Sequence, residues 1–364
     1  MKQRITISGY YGFGNAGDEA MLMAILQEVG SRVAADFTVI SADPERTTAL
    51  HGVKAIRRTD LRAIMGALRR SDLLISGGGS LLQDVTSQRN LWYYLFIMLA
   101  AKLLGKRVMV YAQGIGPLQR TTSRWATRLV LNMVDAITLR DSPSAHLLHE
   151  MGVRRPSVQV TADCVLGLEP PDLETGDTTL RAAGLADAEQ LVLVAPRFWG
   201  GDFAYLSHLA AAADRLSREA GATIAFLALH RDYDRAAAHE VADRMEQPAV
   251  VLPADLTVHQ ILAIVGRSQL VVGVRLHALI FAAVTGVPFV GLSYDPKIDH
   301  FLAELGEKAI GRVDTVDEAT VTEVILTAWK GRQELRHRLS GQMTELRKAA
   351  RISGQVAAGL VREP

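Results

Sequence analysis

The chain reads as two doubly wound α/β domains, each built on a parallel sheet, followed by a helical tail. Three observations predict this. Short apolar, β-branched runs alternate with helical stretches along most of the sequence, the pattern of repeated β-α-β units. Glycine-rich or polar loops recur just after those runs, where a doubly wound sheet places its ligands. The alternation is interrupted once, by the Pro-, Gly-, Asp- and Thr-rich stretch GLEPPDLETGDTTLRAAGLADAEQ, which reads as a linker. The expected domains are 1–168 and 190–313, joined by a linker at 169–189 and followed by C-terminal helices at 314–364. Two such domains should face each other across a cleft that holds the site.

Bulk properties narrow the function classes. At 364 residues the chain exceeds one ordinary core, and 49% hydrophobic with 22% charged residues describes a globular protein. A net charge of +1 gives no sign of a general nucleic-acid binder, so no nucleic-acid partner is expected. The single cysteine, Cys164, permits no intramolecular disulfide and no zinc-type spacing, which points to a reducing, cytoplasmic setting. The N-terminus reads as a strand and not as a signal peptide. The longest apolar stretch, Leu91–Leu104, is too short to span a bilayer and carries Lys102; it reads as a buried helix.

In the first half, Ile5–Ser8 opens the sheet, and GYYGFGNAGDEA leads into a helix from about Glu19 to Val33. Gly12, Gly14 and Gly17 satisfy G-x-G-x-x-G in the context of a dinucleotide-binding turn. The acidic ribose partner expected about 20 residues on would be Asp36 or Asp43, neither at a clear second-strand end. Gly14 and Asn15 are candidate ligand contacts whatever the ligand. Asp18, directly after the last glycine, is either the helix N-cap or a carboxylate that serves a substrate hydroxyl. Phe37–Ser41 and Val53–Ile56 continue the sheet, and Asp60–Arg69 is an amphipathic helix. Asp72–Ser76 then delivers Gly77-Gly78-Gly79-Ser80, a second loop expected to meet the first, with Gly78 and Gly79 as a cradle. Arg107–Tyr111 ends in QGIGP. Asp135–Leu139 ends in Arg140-Asp141-Ser142, with Asp141 or Ser142 capping the helix that Pro143 starts. Arg140 is thus an anion ligand at the sheet's carboxyl edge or an ion pair with Asp141 or a neighbour. Val158–Val160 closes the half, with Asp163 just beyond.

In the second half Leu191–Ala195 leads to Arg197, and Thr223–Leu229 leads to His230. Val250–Leu252, Leu270–Val272 and Phe289–Gly291 follow, the last running into Ser293-Tyr294-Asp295-Pro296-Lys297. From Asp317 onward the pattern is helical. The densest signal is Leu270–Lys297, where Arg275 and His277 stand at a strand-to-helix turn. An Arg inside so apolar a run needs a counter-charge, because burying an unpaired charge is costly. Helix N-termini at strand ends attract anions, a guanidinium grips phosphate or carboxylate, and an imidazole moves protons near neutral pH. Arg197, His230 and Lys297 complete a basic set suited to a ligand with more than one negative group. Asp232-Tyr233-Asp234 matches the D-x-D of metal-dependent sugar transferases, but it begins a helix and reads most simply as a cap and solubility feature. No P-loop lysine follows GGGS, no G-x-S-x-G elbow occurs, and no cofactor or metal site is expected.

Taken together, GYYGFGNAGDEA, ISGGGSLLQD, YAQGIGPL, LRDSPS, APR and GVRLHALIFAAVTGVPFVGLSYDPK resemble the polysaccharide pyruvyl transferases, most closely the CsaB type of bacterial cell-wall biosynthesis. The resemblance runs from Ile5 to about Lys297. It implies a GT-B-like fold and transfer of the enolpyruvyl group of phosphoenolpyruvate to two hydroxyls of a sugar. For the CsaB type that sugar is N-acetylmannosamine, bridged at its 4- and 6-hydroxyls on a lipid-diphosphate-linked glycan. Arg275 and His277 match the family's R-x-H element, Arg140 its R-D-S element and Asp18 its glycine-rich N-terminal element. A lipid-linked acceptor would bring the chain to the cytoplasmic membrane face through Leu91–Leu104 or the tail. Other readings on such a scaffold are a nucleotide-sugar glycosyltransferase or epimerase, a nicotinamide-dependent oxidoreductase, and a non-catalytic glycan or anion binder.

Overall fold

A computed structural model describes residues 2–201 and 203–362. The chain divides into two compact units, Met1–Leu168 with Glu345–Pro364, and Glu169–Thr344.

The first unit alternates strand and helix: β1 Gln3–Ser8, α1 Ala16–Gly30, β2 Ala35–Ser41, α2 Pro44–His51, β3 Lys54–Arg57, α3 Leu61–Arg70, β4 Leu73–Gly77, α4 Gln88–Leu103, β5 Arg107–Gln113, α5 Thr121–Leu131, β6 Ala136–Leu139, α6 Ser142–Glu150 and β7 Ser157–Val160. All strands run parallel in the order β3-β2-β1-β4-β5-β6-β7. Their apolar runs are buried because helices cover both faces, as parallel sheets require. One face carries a core of Leu74, Val108, Val110 and Ile137 under residues of α3 to α6, among them Leu68, Leu95, Met98, Leu131 and Leu148. Helices begin where a short polar side chain takes up a free backbone N–H: Asp43 for Arg46, Asp60 for Ala63, Ser87 for Asn90 and Asp141 for Ser144.

The second unit contains α7 Glu174–Ala182, β8 Leu191–Ala195, α8 Ala204–Ala220, β9 Thr223–Phe226, α9 Tyr233–Ala242, β10 Ala249–Val251, α10 Val258–Arg267, β11 Leu270–Gly273, α11 Leu276–Thr285, β12 Phe289–Gly291, α12 Pro296–Glu304, α13 Glu318–Lys330 and the start of α14 Arg332–Arg362. Its five parallel strands are ordered β10-β9-β8-β11-β12.

Residues 169–189 are not a plain linker: they hold α7, whose Gly176 approaches α10 so closely that a Cβ there would lie 2.8 Å from the Ala263 carbonyl carbon. The terminal helices form a helical tail whose parts belong to different units. α13 packs on α8 within the second unit, whereas the end of α14 belongs to the first. There Gly354 lets α14 lie against α1, since a Cβ would stand 2.5 Å from Glu28 Cγ. Ser353, fully buried, donates to Thr138 Oγ1 at 2.9 Å and lies 3.2 Å from Thr161 Oγ1. Thr138 Oγ1 also accepts from the N–H of Ala112, a residue held at φ +45°.

Replacing Ser353 with Val would remove its hydrogen bonds to Thr138 and Thr161, whose hydroxyls keep the Val110 and Leu139 carbonyls, and a lost hydrogen bond costs about 0.5–1.5 kcal/mol. Urea unfolding of Ser353→Val should show a lower midpoint; an unchanged midpoint would mean that this network does not anchor the helix.

Candidate functional site

In each sheet the strand order reverses direction at one place, and there the loops leaving neighbouring strands part to opposite faces and open a crevice. In the first unit that place lies between β1 and β4, paired from Ile5 with Leu73 to Ser8 with Ser76. The two glycine loops therefore meet. Gly78 and Gly79 take φ of +68° and +72°, and a Cβ on Gly79 would lie 3.4 Å from Asp18 Oδ1 and 3.3 Å from Met21 Cε. Only glycine allows the loop after β4 to run beneath that carboxylate.

Asp18 is not the helix cap. Asn15 is the N-cap of α1, accepting from the Gly17 N–H at 3.1 Å, and α1 starts at Ala16 and not near Glu19. Asp18 is left as a mostly buried carboxylate in the first turn, where the helix dipole favours negative charge. Tyr11 and Tyr94 stand within its field, and their hydroxyls are pushed well above the ordinary tyrosine value first by burial and also by Asp18. Tyr94 Oη is buried with no hydrogen-bond partner among the described residues. Gly14, at φ +73°, stays at the partly open mouth of the loop with Asn15. Gly12 instead serves packing: its N–H donates to Glu19 Oε1 at 2.8 Å, and a Cβ would lie 2.3 Å from Ser41 Oγ. Glu19 Oε2 in turn meets His51 Nε2 at 2.9 Å. Neither candidate ribose partner stands ready: Asp43 caps α2, and Asp36 lies at the opening of β2, paired with Lys2.

Arg140 follows β6 and is buried. Nη1 donates to Asp163 Oδ2 at 2.9 Å, Nη2 donates to Ser80 Oγ at 2.9 Å, and Nε lies 3.9 Å from Asp141 Oδ2. Burial opposes the charge, but Asp163 and Asp141 outweigh it and raise the guanidinium above its ordinary value. Arg140 thus ties the loop after β4 to the segment after β7. Asp141, and not Ser142, caps the following helix.

In the second unit the reversal lies between β8 and β11, whose ends pair Ala195 with Gly273, and Val274 N–H donates to Ala195 O at 3.0 Å. Arg197 leaves one strand and Arg275 the other. Arg275 is the residue before α11, and His277, half-buried, sits in that helix's first turn with its ring 6.1 Å from Phe281. Arg275 donates through Nη2 to Asp234, a carboxylate with no exposed surface. The other Asp234 oxygen accepts the His230 N–H at 2.8 Å. Burial and then Arg275 hold the His230 imidazole below its ordinary value, against Asp234 and Asp232. Arg197 is caged between Trp199 and Tyr294, 5.0 and 4.5 Å from the ring centroids, and donates to Tyr294 Oη; Tyr205 Oη donates to its carbonyl. Burial pulls the Arg197 guanidinium down; Tyr294 opposes this and Arg275 adds to it. Lys297 Nζ lies 5.3 Å from the Tyr294 ring and 3.2 Å from Asp295 Oδ2.

The second unit therefore brings Arg197, His230, Arg275 and Lys297 to one edge of one sheet. Two guanidinium groups that feel each other's charge, beside a helix N-terminus, suit a multiply charged anion. Asp234 corrects the sequence expectation: it is the buried counter-ion of Arg275 and not a solubility feature, and Asp232 makes no side-chain cap. The aromatic cage that Trp199 and Tyr294 form around Arg197 does not show in the motifs either. The available signal was an aspartate four residues after a strand-end histidine, and a tyrosine before the Asp-Pro that starts a helix.

The geometry agrees with comparisons to known proteins. The sequence profile of the polysaccharide pyruvyl transferases matches residues 15–296. No curated protein sequence matches the chain. Among solved structures the chain is similar to MnaA of S. aureus with UDP (TM-score 0.68, 13% identity, 98% of this chain and 95% of that one). It is also similar to Anabaena HepE with UDP and glucose (TM-score 0.65, 13% identity, 98% of each). The UDP-GlcNAc 2-epimerase of Neisseria meningitidis bound to UDP-GlcNAc is a third such structure (TM-score 0.64, 13% identity, 99% and 100%). At these identities the likeness speaks for the fold, which is of the GT-B type. With that profile covering well over half of its length, the chain belongs to the polysaccharide pyruvyl transferase family and is a transferase enzyme.

Proposed function

We propose that the protein transfers the enolpyruvyl group of phosphoenolpyruvate to two hydroxyls of one sugar, forming a pyruvate ketal and releasing phosphate. The observation that carries this reading is the pair Arg197 and Arg275 at the β8–β11 reversal, one caged by Trp199 and Tyr294 and the other anchored by Asp234. Phosphoenolpyruvate offers a phosphate and a carboxylate to two such guanidinium groups. Protonation of its methylene carbon makes the adjacent carbon oxocarbenium-like. A sugar hydroxyl adds there and loses its proton, phosphate then departs with its bonding pair, and the second hydroxyl closes the ketal as its proton passes to the departing phosphate. His277 is assigned the proton to carbon, and Asp18 the acceptance or orientation of a hydroxyl proton. Arg140 holds the loop bearing Ser80 and acts through it. The acceptor assigned is N-acetylmannosamine, at its 4- and 6-hydroxyls, on a lipid-diphosphate-linked glycan of the CsaB type.

The direct test is phosphate release from phosphoenolpyruvate with and without a synthetic lipid-diphosphate N-acetylmannosaminyl-N-acetylglucosamine, with mass spectrometry of the sugar. Acceptor-dependent release with a pyruvyl ketal on the mannosamine is expected. Turnover of a nucleotide sugar in its place would favour the glycosyltransferase or epimerase reading.

Three outcomes follow for the residues. His277→Ala should lower kcat about 10²–10⁴-fold, the usual worth of a positioned acid or base; turnover at the wild-type rate would remove His277 from the proton transfer. Arg275→Ala should weaken phosphoenolpyruvate binding about tenfold or more in calorimetry, since charge-assisted hydrogen bonds are lost. Unchanged affinity would place the anion elsewhere. His230 starts below its ordinary value, so it is neutral at pH 7 in the free protein. A bound anion favours its charged form and raises that value, so binding between about pH 6 and 7 should take up protons. Calorimetry in buffers of different ionisation heat should show this uptake, and His230→Gln should abolish it; uptake that persists in the variant would assign it to another group.

A further inference from the structure

Helix α4 is apolar on two opposite faces. Leu91, Tyr94, Leu95, Met98 and Ala101 point into the core. Arg89, Trp92, Phe96 and Leu103 follow helical spacing on the outer face, with Leu99 between them half-buried against the core. Trp92 is 43% exposed, Phe96 46% and Leu103 75%. The neighbouring α5, packed against α4, adds Trp125 at 62% and Leu129 at 46%. A helix with apolar residues all round is ordinarily covered, and an exposed apolar patch of this kind marks a docking surface.

Charge identifies what covers it. Between residues 85 and 134 the chain has seven Lys or Arg and no Asp or Glu, although its net charge is only +1. Arg89, Arg120 and Arg128 are exposed. Lys102 is engaged by Asp135 at 2.7 Å, Arg124 approaches Glu150 at 3.9 Å, and Lys106 and Arg107 are half-buried at the opening of β5, so the exposed positive charge of this stretch lies on Arg89, Arg120 and Arg128. The adjacent α3 is also free of acidic residues and exposes Arg62, Arg69 and Arg70. Exposed tryptophans and leucines rimmed by arginines are the composition of a helix lying in the interfacial plane of an anionic bilayer. Among the described residues no helix is long and apolar enough to cross a membrane, so the contact would be peripheral.

We propose that the α4–α5 face of the first unit docks on anionic lipid, with Trp92, Phe96, Leu103, Trp125 and Leu129 entering the headgroup boundary and Arg89, Arg120 and Arg128 meeting lipid phosphates. The proposal stands on this surface alone and is independent of the reaction assigned to the enzyme.

Co-sedimentation with phosphatidylcholine vesicles, with and without phosphatidylglycerol, tests it. The full-length protein should bind only the anionic vesicles, lose binding as salt rises, and shift its tryptophan emission to the blue. Phe96→Ser with Trp125→Ser should weaken binding about tenfold or more while circular dichroism stays unchanged, as exposed positions allow. Arg89→Glu with Arg120→Glu should weaken it without touching the apolar residues. A protein that stays in the supernatant with anionic vesicles, or variants that bind as the wild type does, would overturn the proposal. So would binding indifferent to phosphatidylglycerol. A dimer in sedimentation velocity that the Phe96/Trp125 variant dissolves, with no vesicle binding, would assign the face to a second copy of the chain.

Discussion

The Asp234 carboxylate has no contact with solvent, yet it carries the charge that allows Arg275 to stand at the end of a central strand. A guanidinium left alone in the run from Leu270 to Val284 would be costly, and removal of one partner of a buried pair typically costs about 3–5 kcal/mol. Asp234 also fixes the backbone of His230, so one carboxylate sets the strand ends of β9 and β11 together. The position of Arg275 beside α11 follows from that pair, and the Arg275 charge then adds to the burial that lowers the His230 imidazole and the Arg197 guanidinium.

Strand order converts this local bond into a site. Arg197 and Arg275 are far apart in sequence, but β8 and β11 are neighbours, so both side chains emerge at the same edge. The same arrangement in the first unit puts the loops after β1 and β4 together and sets Asp18 over Gly79. The units differ in what they present. The first offers a carboxylate among tyrosines and a glycine-lined floor; the second offers guanidinium groups in an aromatic cage. The first suits a hydroxyl that must lose a proton, and the second suits an anion.

Much of this was legible in the residues. Apolar β-branched runs marked the strands because a parallel sheet buries both faces, and glycines at their ends marked loops where backbone must pass close to a side chain. Arg275 and His277 stood out because charge in an apolar run is rare. What failed to show depended on spatial neighbours. Asp234 reads as a helix cap because an aspartate in a first turn usually is one; only the ion pair with Arg275, distant in sequence, makes it a counter-ion. Asp18 and Asn15 were not separable as caps, since both residue types cap well and the helix start decides. For Leu91–Leu104 the sequence leaves a buried helix and a membrane contact both open, because apolar composition cannot say which side of a helix is covered.

The most direct measurement is a crystal structure of the protein soaked with phosphoenolpyruvate. The account predicts phosphate and carboxylate oxygens within hydrogen-bond reach of Arg197 and Arg275, with the methylene carbon turned toward His277. Ligand bound instead in the Gly78–Gly79 loop beside Asp18, with Arg197 and Arg275 untouched, would contradict it.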